Sequence, residues 1–352
     1  MRKSIISVLF LLFGCGLVYS QDDTKSIIEE EVEFDVDDLT ISGTLTIPKS
    51  DKEVPLAILI SGGFADNRDA EAYGMKPFKE LARYFAENGI ATYRYDDRGV
   101  GKSAGKHTFQ YEITELNNDV FAAIELFKKE NRIDTNKIGL IGHSTGGMMA
   151  PMIASMSDDV SFIIALAGPV DEMDKLMLRT REKQVRRAGW KKEDIETALE
   201  LEKRMVDVTV SGKGYDKLIS DMKTFSKNRF INLPDNIKNR YKDWEDYYKS
   251  SWYGMVEPGI NTPMYRSWYT HQPVEYLKKV TCPALFIFAE NDGQIPCSYA
   301  GPIIIDAMET AGNYNYTIRQ IPNTGHYFSY KGFFVPGFLN ILTNWINEQF
   351  DY

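Results

Sequence analysis

Basic residues are in deficit: 41 Lys and Arg stand against 50 Asp and Glu, leaving a formal charge of −9 and an isoelectric point near 5.2. Displacing counterions from a phosphate backbone needs a basic face, so nucleic acid is excluded as a partner. Long hydrophobic runs are also missing. The mean hydropathy is −0.33, and the longest apolar stretch, Ile5–Phe13, falls well short of the ~20 residues that cross a bilayer; a multi-span membrane protein is excluded. Cysteine is scarce, with three in the chain. Cys15 lies in the N-terminal stretch, and a strand over Ala284–Ala289 should hold Cys282 and Cys297 about 20 Å apart at about 3.3 Å per residue. Two free thiols are therefore expected. No His, Cys and carboxylate cluster has ligand spacing, so neither a metal nor a cofactor is implied. There is no internal repeat and no low-complexity tract.

What is present is apolar bulk: 43% of 352 residues are hydrophobic and 12% aromatic, enough for a large core. At roughly 150 residues per domain the length suits two units, or one domain with an insertion.

The N-terminus has the anatomy of a secretory signal over residues 1–20. Arg2 and Lys3 form a basic start, Ile5–Phe13 an apolar core, and Val18-Tyr19-Ser20 ends on a small residue before Gln21. Soluble export is the expectation. The alternative is a lipoprotein anchored at Cys15, since Leu12-Phe13-Gly14-Cys15 is close to a lipobox, although Phe13 is bulky for its place. Lipidation there is the one route by which this chain would meet a membrane.

Beyond the signal, Glu29–Val36 and Leu39–Ile47 alternate apolar and polar residues about a short turn, the pattern of an antiparallel pair. Continuous apolar runs then alternate with helical spacing: Pro55–Ile60, helix Met75–Asn88, Ile90–Tyr95, helix Ile113–Glu130, Lys137–Ile141, helix Gly146–Met156 and Phe162–Ala167. Buried strands alternating with helices imply βαβ units and an α/β fold with a mostly parallel central sheet. The alternation stops at Gly168-Pro169. Residues 171–250 carry 35 charged side chains in 80, against 26% for the whole chain, in helical patterns such as Lys192–Met205. The strand and helix pattern resumes with Ala284–Ala289, helix Tyr299–Thr310, strand Tyr314–Ile321 and helix Gly337–Gln349. Residues 21–169 and 275–352 are thus expected to form one core, and 170–274 a helical cap inserted between the sixth and seventh strands.

The chemistry begins at Gly142-His143-Ser144-Thr145-Gly146. A strand is expected before it and a helix after it, the setting of a strained turn that presents a serine hydroxyl at the carboxyl end of a sheet. Gly142 and Gly146 leave room for that turn, and the helix start favours developing negative charge. A serine nucleophile needs a histidine base, and the base needs an orienting carboxylate. Of four histidines, His143 adjoins the serine and should point away from it, His107 precedes the turn, and His271 lies in the insertion. His326 remains, in a loop after the last strand. The segment Glu290-Asn291-Asp292-Gly293 follows the preceding strand and offers two carboxylates. Asp292, in the turn, is preferred; Glu290 is read as a surface or capping charge.

Taken together with Ser61-Gly62-Gly63, Asp97-Arg98-Gly99 and Gly325-His326, this order of Ser144, Asp292 and His326 resembles the α/β-hydrolase superfamily, within it the exported carboxylesterases and serine aminopeptidase-like hydrolases with a helical cap. The resemblance runs from Pro55 to the C-terminus. It implies the α/β-hydrolase fold and an oxyanion hole built from the amides of Gly63, or its neighbour Phe64, and Thr145. Ser61 departs from the histidine that many relatives have before the glycines. Arg98 is expected to be architectural. The expected reaction is hydrolysis of a small-molecule carboxylic ester of short to medium acyl chain through an acyl-enzyme. A serine aminopeptidase is the nearest rival, with the acidic run Asp243, Glu245 and Asp246 as candidate holder of a peptide's terminal ammonium. A non-catalytic binding module on the same scaffold is the rival from another class. The cap aromatics Trp190, Trp244, Tyr247, Tyr248, Trp252, Tyr253, Tyr265, Trp268 and Tyr269 belong either to the cap's own core or to an acyl pocket.

Overall fold

A computed structural model describes residues 27–63, 66–72 and 74–350. The signal segment with Cys15, and the candidate oxyanion residue Phe64, lie outside the described residues. Two long strands, β1 (Ile27–Val36) and β2 (Leu39–Pro48), form an antiparallel pair in unbroken register from Ile27 opposite Pro48 to Val36 opposite Leu39. Asp37 and Asp38 make the two-residue turn, both at positive φ (49° and 62°). That backbone matches the right-handed twist of the strands, and Asp is among the few side chains that tolerate it.

The rest of the sheet is built from β3 (Val54–Ile60), β4 (Ala91–Tyr95), β5 (Ile133–His143), β6 (Phe162–Leu166), β7 (Ala284–Ala289) and β8 (Tyr316–Ile321). The order is β1-β2-β4-β3-β5-β6-β7-β8. All neighbours from β4 to β8 are parallel, and β2 joins β4 antiparallel. Four central strands are buried along nearly their whole length, and β5 from Ile138 to Gly142, as the continuous apolar runs require. On one face α2 (Ile113–Phe127), α3 (Thr145–Ala154) and α12 (Cys297–Thr310) cover Leu56, Ile58 and Ile60; on the other, α1 (Pro77–Glu87) and α13 (Phe338–Phe350) cover Ala57 and Leu59. The chain leaves β3 toward β4 on one side and returns to β5 on the other, so a crevice opens at the carboxyl ends of β3 and β5. Open parallel sheets bind ligands at such a switch point.

Between β6 and β7 run eight helices: α4 (Met173–Arg187), α5 (Lys192–Ser211), α6 (Tyr215–Ile231), α7 (Asp235–Lys238), α8 (Trp244–Ser250), α9 (Trp252–Val256), α10 (Pro263–Thr270) and α11 (Pro273–Leu277). The last packs on α3 and α12, so the expected cap boundary at residue 274 falls within a helix that serves the core. Cys282 and Cys297 are free. A small hairpin that periodicity does not reveal, β9 (Ser329–Tyr330) with β10 (Phe333–Phe334), follows His326.

Candidate active site

Ser144 sits between β5 and α3 with φ 53° and ψ −115°, a conformation that costs a non-glycine residue on the order of 1–3 kcal/mol. Its surroundings enforce it. The Ser144 amide donates to the Leu166 carbonyl at 2.8 Å, a Cβ at Gly142 would run into the Gly146 carbonyl, and one at Gly146 into the Ile60 carbonyl. Any larger residue would push α3 off the sheet. The amide of Thr145 is the first of α3, where no carbonyl of the helix can accept it.

His326 and Asp292 arrive from two other strand ends. The Asp292 Oδ2 lies 2.7 Å from His326 Nδ1, while Oδ1 accepts the amides of Gln294 (2.7 Å) and Ile295 (3.2 Å). Burial works to raise the Asp292 pKa, but the His326 contact and the two amides outweigh it and hold the carboxyl below its ordinary range. An ionised Asp292 makes Nδ1 the protonated nitrogen of a neutral His326, leaving Nε2 as a base. Glu290 takes no part: its carboxylate accepts the Asn323 amide at 2.8 Å and fixes the loop leading to His326.

His143 does turn away from the serine. Its Nε2 is 2.9 Å from the His326 carbonyl, and burial, with the adjacent His326, pushes its pKa down to about 3. It is therefore a neutral donor that clamps the His326 backbone. Arg98 is buried and bound to both oxygens of Asp119 (2.6–3.0 Å), to Asp37 and to the Glu115 carbonyl, an architectural tie between the loop after β4, α2 and the β1–β2 turn. Ser61, in place of the histidine, donates to Asp97 at 3.1 Å.

Gly63 departs from expectation. Its amide donates to Asp66 Oδ2 at 2.8 Å, so a carboxylate rests where an oxyanion would be held. Asp66, which the sequence reading passed over, lines the same cleft as Ser144.

Two cavities meet at Ser144, Gly62, His326 and Tyr327. One, about 670 Å³ with its open mouth, lies on the core side between α1 and the hairpin, lined by Ala70, Phe78, Leu81, Leu166, Phe328 and Phe334. The other, about 970 Å³, lies under the inserted helices, lined by Met173, Met177, Trp252, Tyr265, Trp268 and Tyr269 among others. Four of the aromatics thus face the serine, whereas Tyr253 is inside the insertion, against Phe225 and the Ala198 carbonyl. The acidic run lines neither cavity. Asp243 caps α8 by accepting the Glu245 and Asp246 amides at 2.9 Å, and Asp246 accepts the Lys242 amide.

Residues 72–225 match the profile of the serine aminopeptidase family S33. Esterase EstD of Thermotoga maritima is 30% identical over 145 residues, 40% of this chain and 34% of EstD, so the match spans about a third of that relative's length. A 31.7 kDa uncharacterised protein of Escherichia coli is 23% identical over 88% of this chain and 96% of its own. Among solved structures, the α/β hydrolase GrgF of Penicillium superposes with a TM-score of 0.59 at 17% identity, over 92% of this chain and 100% of that one. An esterase of Pyrococcus furiosus superposes with a TM-score of 0.57 at 15% identity, over 92% and 91%. With its strand order, its strained serine turn and these likenesses, the chain has the α/β-hydrolase fold.

Proposed function

We propose that this protein is a serine hydrolase of carboxylic esters of short to medium acyl chain. The observation that carries the reading is the Asp292–His326 contact of 2.7 Å beside a serine held at φ 53°. In the proposed cycle His326 Nε2 takes the Ser144 proton as Oγ attacks the ester carbonyl; the oxyanion forms against the Thr145 amide and, once released, that of Gly63; and the proton passes to the departing alkoxide. Water then repeats the sequence on the acyl-enzyme. Ester is preferred to peptide because both cavities are lined mainly by apolar side chains, and the acidic run proposed to hold a terminal ammonium lines neither of them, its Asp243 capping α8. Labelling with a fluorophosphonate should modify Ser144 stoichiometrically, and p-nitrophenyl acetate to octanoate should be cleaved in preference to aminoacyl anilides. Failure of the label, or faster anilide cleavage, would refute the reading.

We further propose export through the N-terminal signal. The N-terminus of the mature protein from its host should be Gln21; a lipid-modified Cys15 would instead mark an anchored enzyme.

A further inference from the structure

The Asp66 carboxylate has no role in the cycle above, yet it lines the core-side cavity with Ser144 and His326. Among the described residues it is the one acidic side chain lining either cavity. Among the described residues no lysine or arginine pairs with it; its described partner is the Gly63 amide, at 2.8 Å. The carboxylate also lies over the Gly63 Cα, where a Cβ would meet Oδ2 at 2.5 Å and Oδ1 at 2.7 Å. Burial raises its pKa, and the Gly63 bond opposes that only in part. The backbone beneath is fixed: the Asp66 amide donates to Asp97 Oδ2 at 2.8 Å, the Asp97 amide to the Asp66 carbonyl at 3.1 Å, and Arg68 pairs with Asp96 at 2.7 Å and Glu31 at 2.9 Å. The side chain can leave Gly63 by rotating about its own bonds.

Two negative oxygens cannot share one amide in a partly desolvated cleft, so Gly63 serves the oxyanion only after Asp66 lets go. A half-buried carboxylate gives up its hydrogen bond most readily in exchange for another. The Gly63 amide would hold the oxyanion about 3 Å away, which places any donor one or two carbons from the reacting carbonyl within reach of Asp66.

We propose that Asp66 is a specificity-determining residue that selects esters whose acyl group carries a hydroxyl, as hydrogen-bond donor, on the carbons next to the carbonyl. The substrate's donor takes the carboxylate, and the exchange frees the Gly63 amide for the transition state. Esters without a donor react with Asp66 still competing for that amide. The discrimination therefore falls mainly on kcat, because the freed amide acts only as negative charge develops.

This inference rests on the serine-ester reading, and the experiment separates the two. The rates of p-nitrophenyl butanoate and p-nitrophenyl 3-hydroxybutanoate are compared in wild type, Asp66→Ala and Asp66→Asn, each titrated with fluorophosphonate to count active Ser144. In the wild type the hydroxy ester should be preferred. In Asp66→Ala its kcat/KM should fall while that of the plain ester rises, collapsing the preference by about tenfold or more; Asp66→Asn, which keeps an acceptor but loses the charge, should lie between. A crossing of the two rates cannot come from misfolding, which lowers both together. Equal loss on both substrates, or no change in their ratio, would overturn the role of Asp66 while leaving Ser144 labelling intact. Absence of labelling in the wild type would instead overturn the serine-ester reading.

Discussion

At the scale of single residues, the two carboxylates after β7 have opposite tasks, and substitution should separate them. Asp292→Asn takes away the charge that fixes the His326 tautomer and should lower kcat by roughly 10⁴. Glu290→Gln keeps an acceptor for the Asn323 amide and should stay within about threefold of wild type. Steady-state rates on p-nitrophenyl butanoate decide the ranking. A third carboxylate, Glu202 in α5, is fully buried; one oxygen accepts the Trp252 indole N–H at 2.9 Å and the other has no partner among the described residues. Burial pushes its pKa up to about 7, against the opposing effects of Trp252 and Arg181. Because the folded value exceeds the unfolded one, its stabilising contribution is complete below the unfolded pKa near 4.5 and is lost as pH rises through about 7. Glu202→Gln does not titrate, so its melting temperature relative to wild type should climb by several degrees between pH 5 and pH 8. A gap that is constant with pH would show that Glu202 folds in charged.

The strand-turn-helix formed by β5 and α3 is the element on which the proposed chemistry depends. Its sequence pattern was legible because every requirement is local: a buried run, a glycine on either side of Ser144, then helix-forming residues. Gly142→Ala places a methyl against the Gly146 carbonyl and should cost about 1–3 kcal/mol, seen as a lowered denaturation midpoint, together with loss of fluorophosphonate labelling as Ser144 shifts. The β1–β2 hairpin was legible for the same reason, its alternation and its Asp37-Asp38 turn being neighbours in the chain. The antiparallel seam between β2 and β4 was not, since it joins segments about 50 residues apart whose own patterns do not name a partner. Nor was β9–β10, whose strands are too short to show a period.

Over the whole molecule, the serine is reached from two sides because the core and the inserted helices each supply a wall. Met177 of α4 lines the same cavity under the inserted helices as Ser144. Met177→Trp should fill that side and lower kcat/KM for p-nitrophenyl octanoate by about tenfold or more, with the acetate ester nearly unaffected. A uniform loss across chain lengths would place the acyl chain in the core-side cavity instead.

The sequence by itself determined the alternating elements, the run of helices between β6 and β7, and the strand-turn-helix around Ser144. Each follows from period, turn chemistry or position relative to a strand end, all of which act over a few residues. The tertiary structure decided what depends on groups meeting across the fold: His143 clamped on the His326 carbonyl, four cap aromatics lining the cavity at Ser144 while Tyr253 faces inward, and Asp243 of the acidic run capping α8. It decided Asp66 as well. Asp66 stands only three positions after Gly63, yet its carboxylate reaches that amide with its own backbone held by Asp97, which follows β4 and accepts the Asp66 amide. Hydrogen-bond partners are chosen by geometry in three dimensions, and a one-dimensional pattern carries that geometry only where the chain folds back on itself at once.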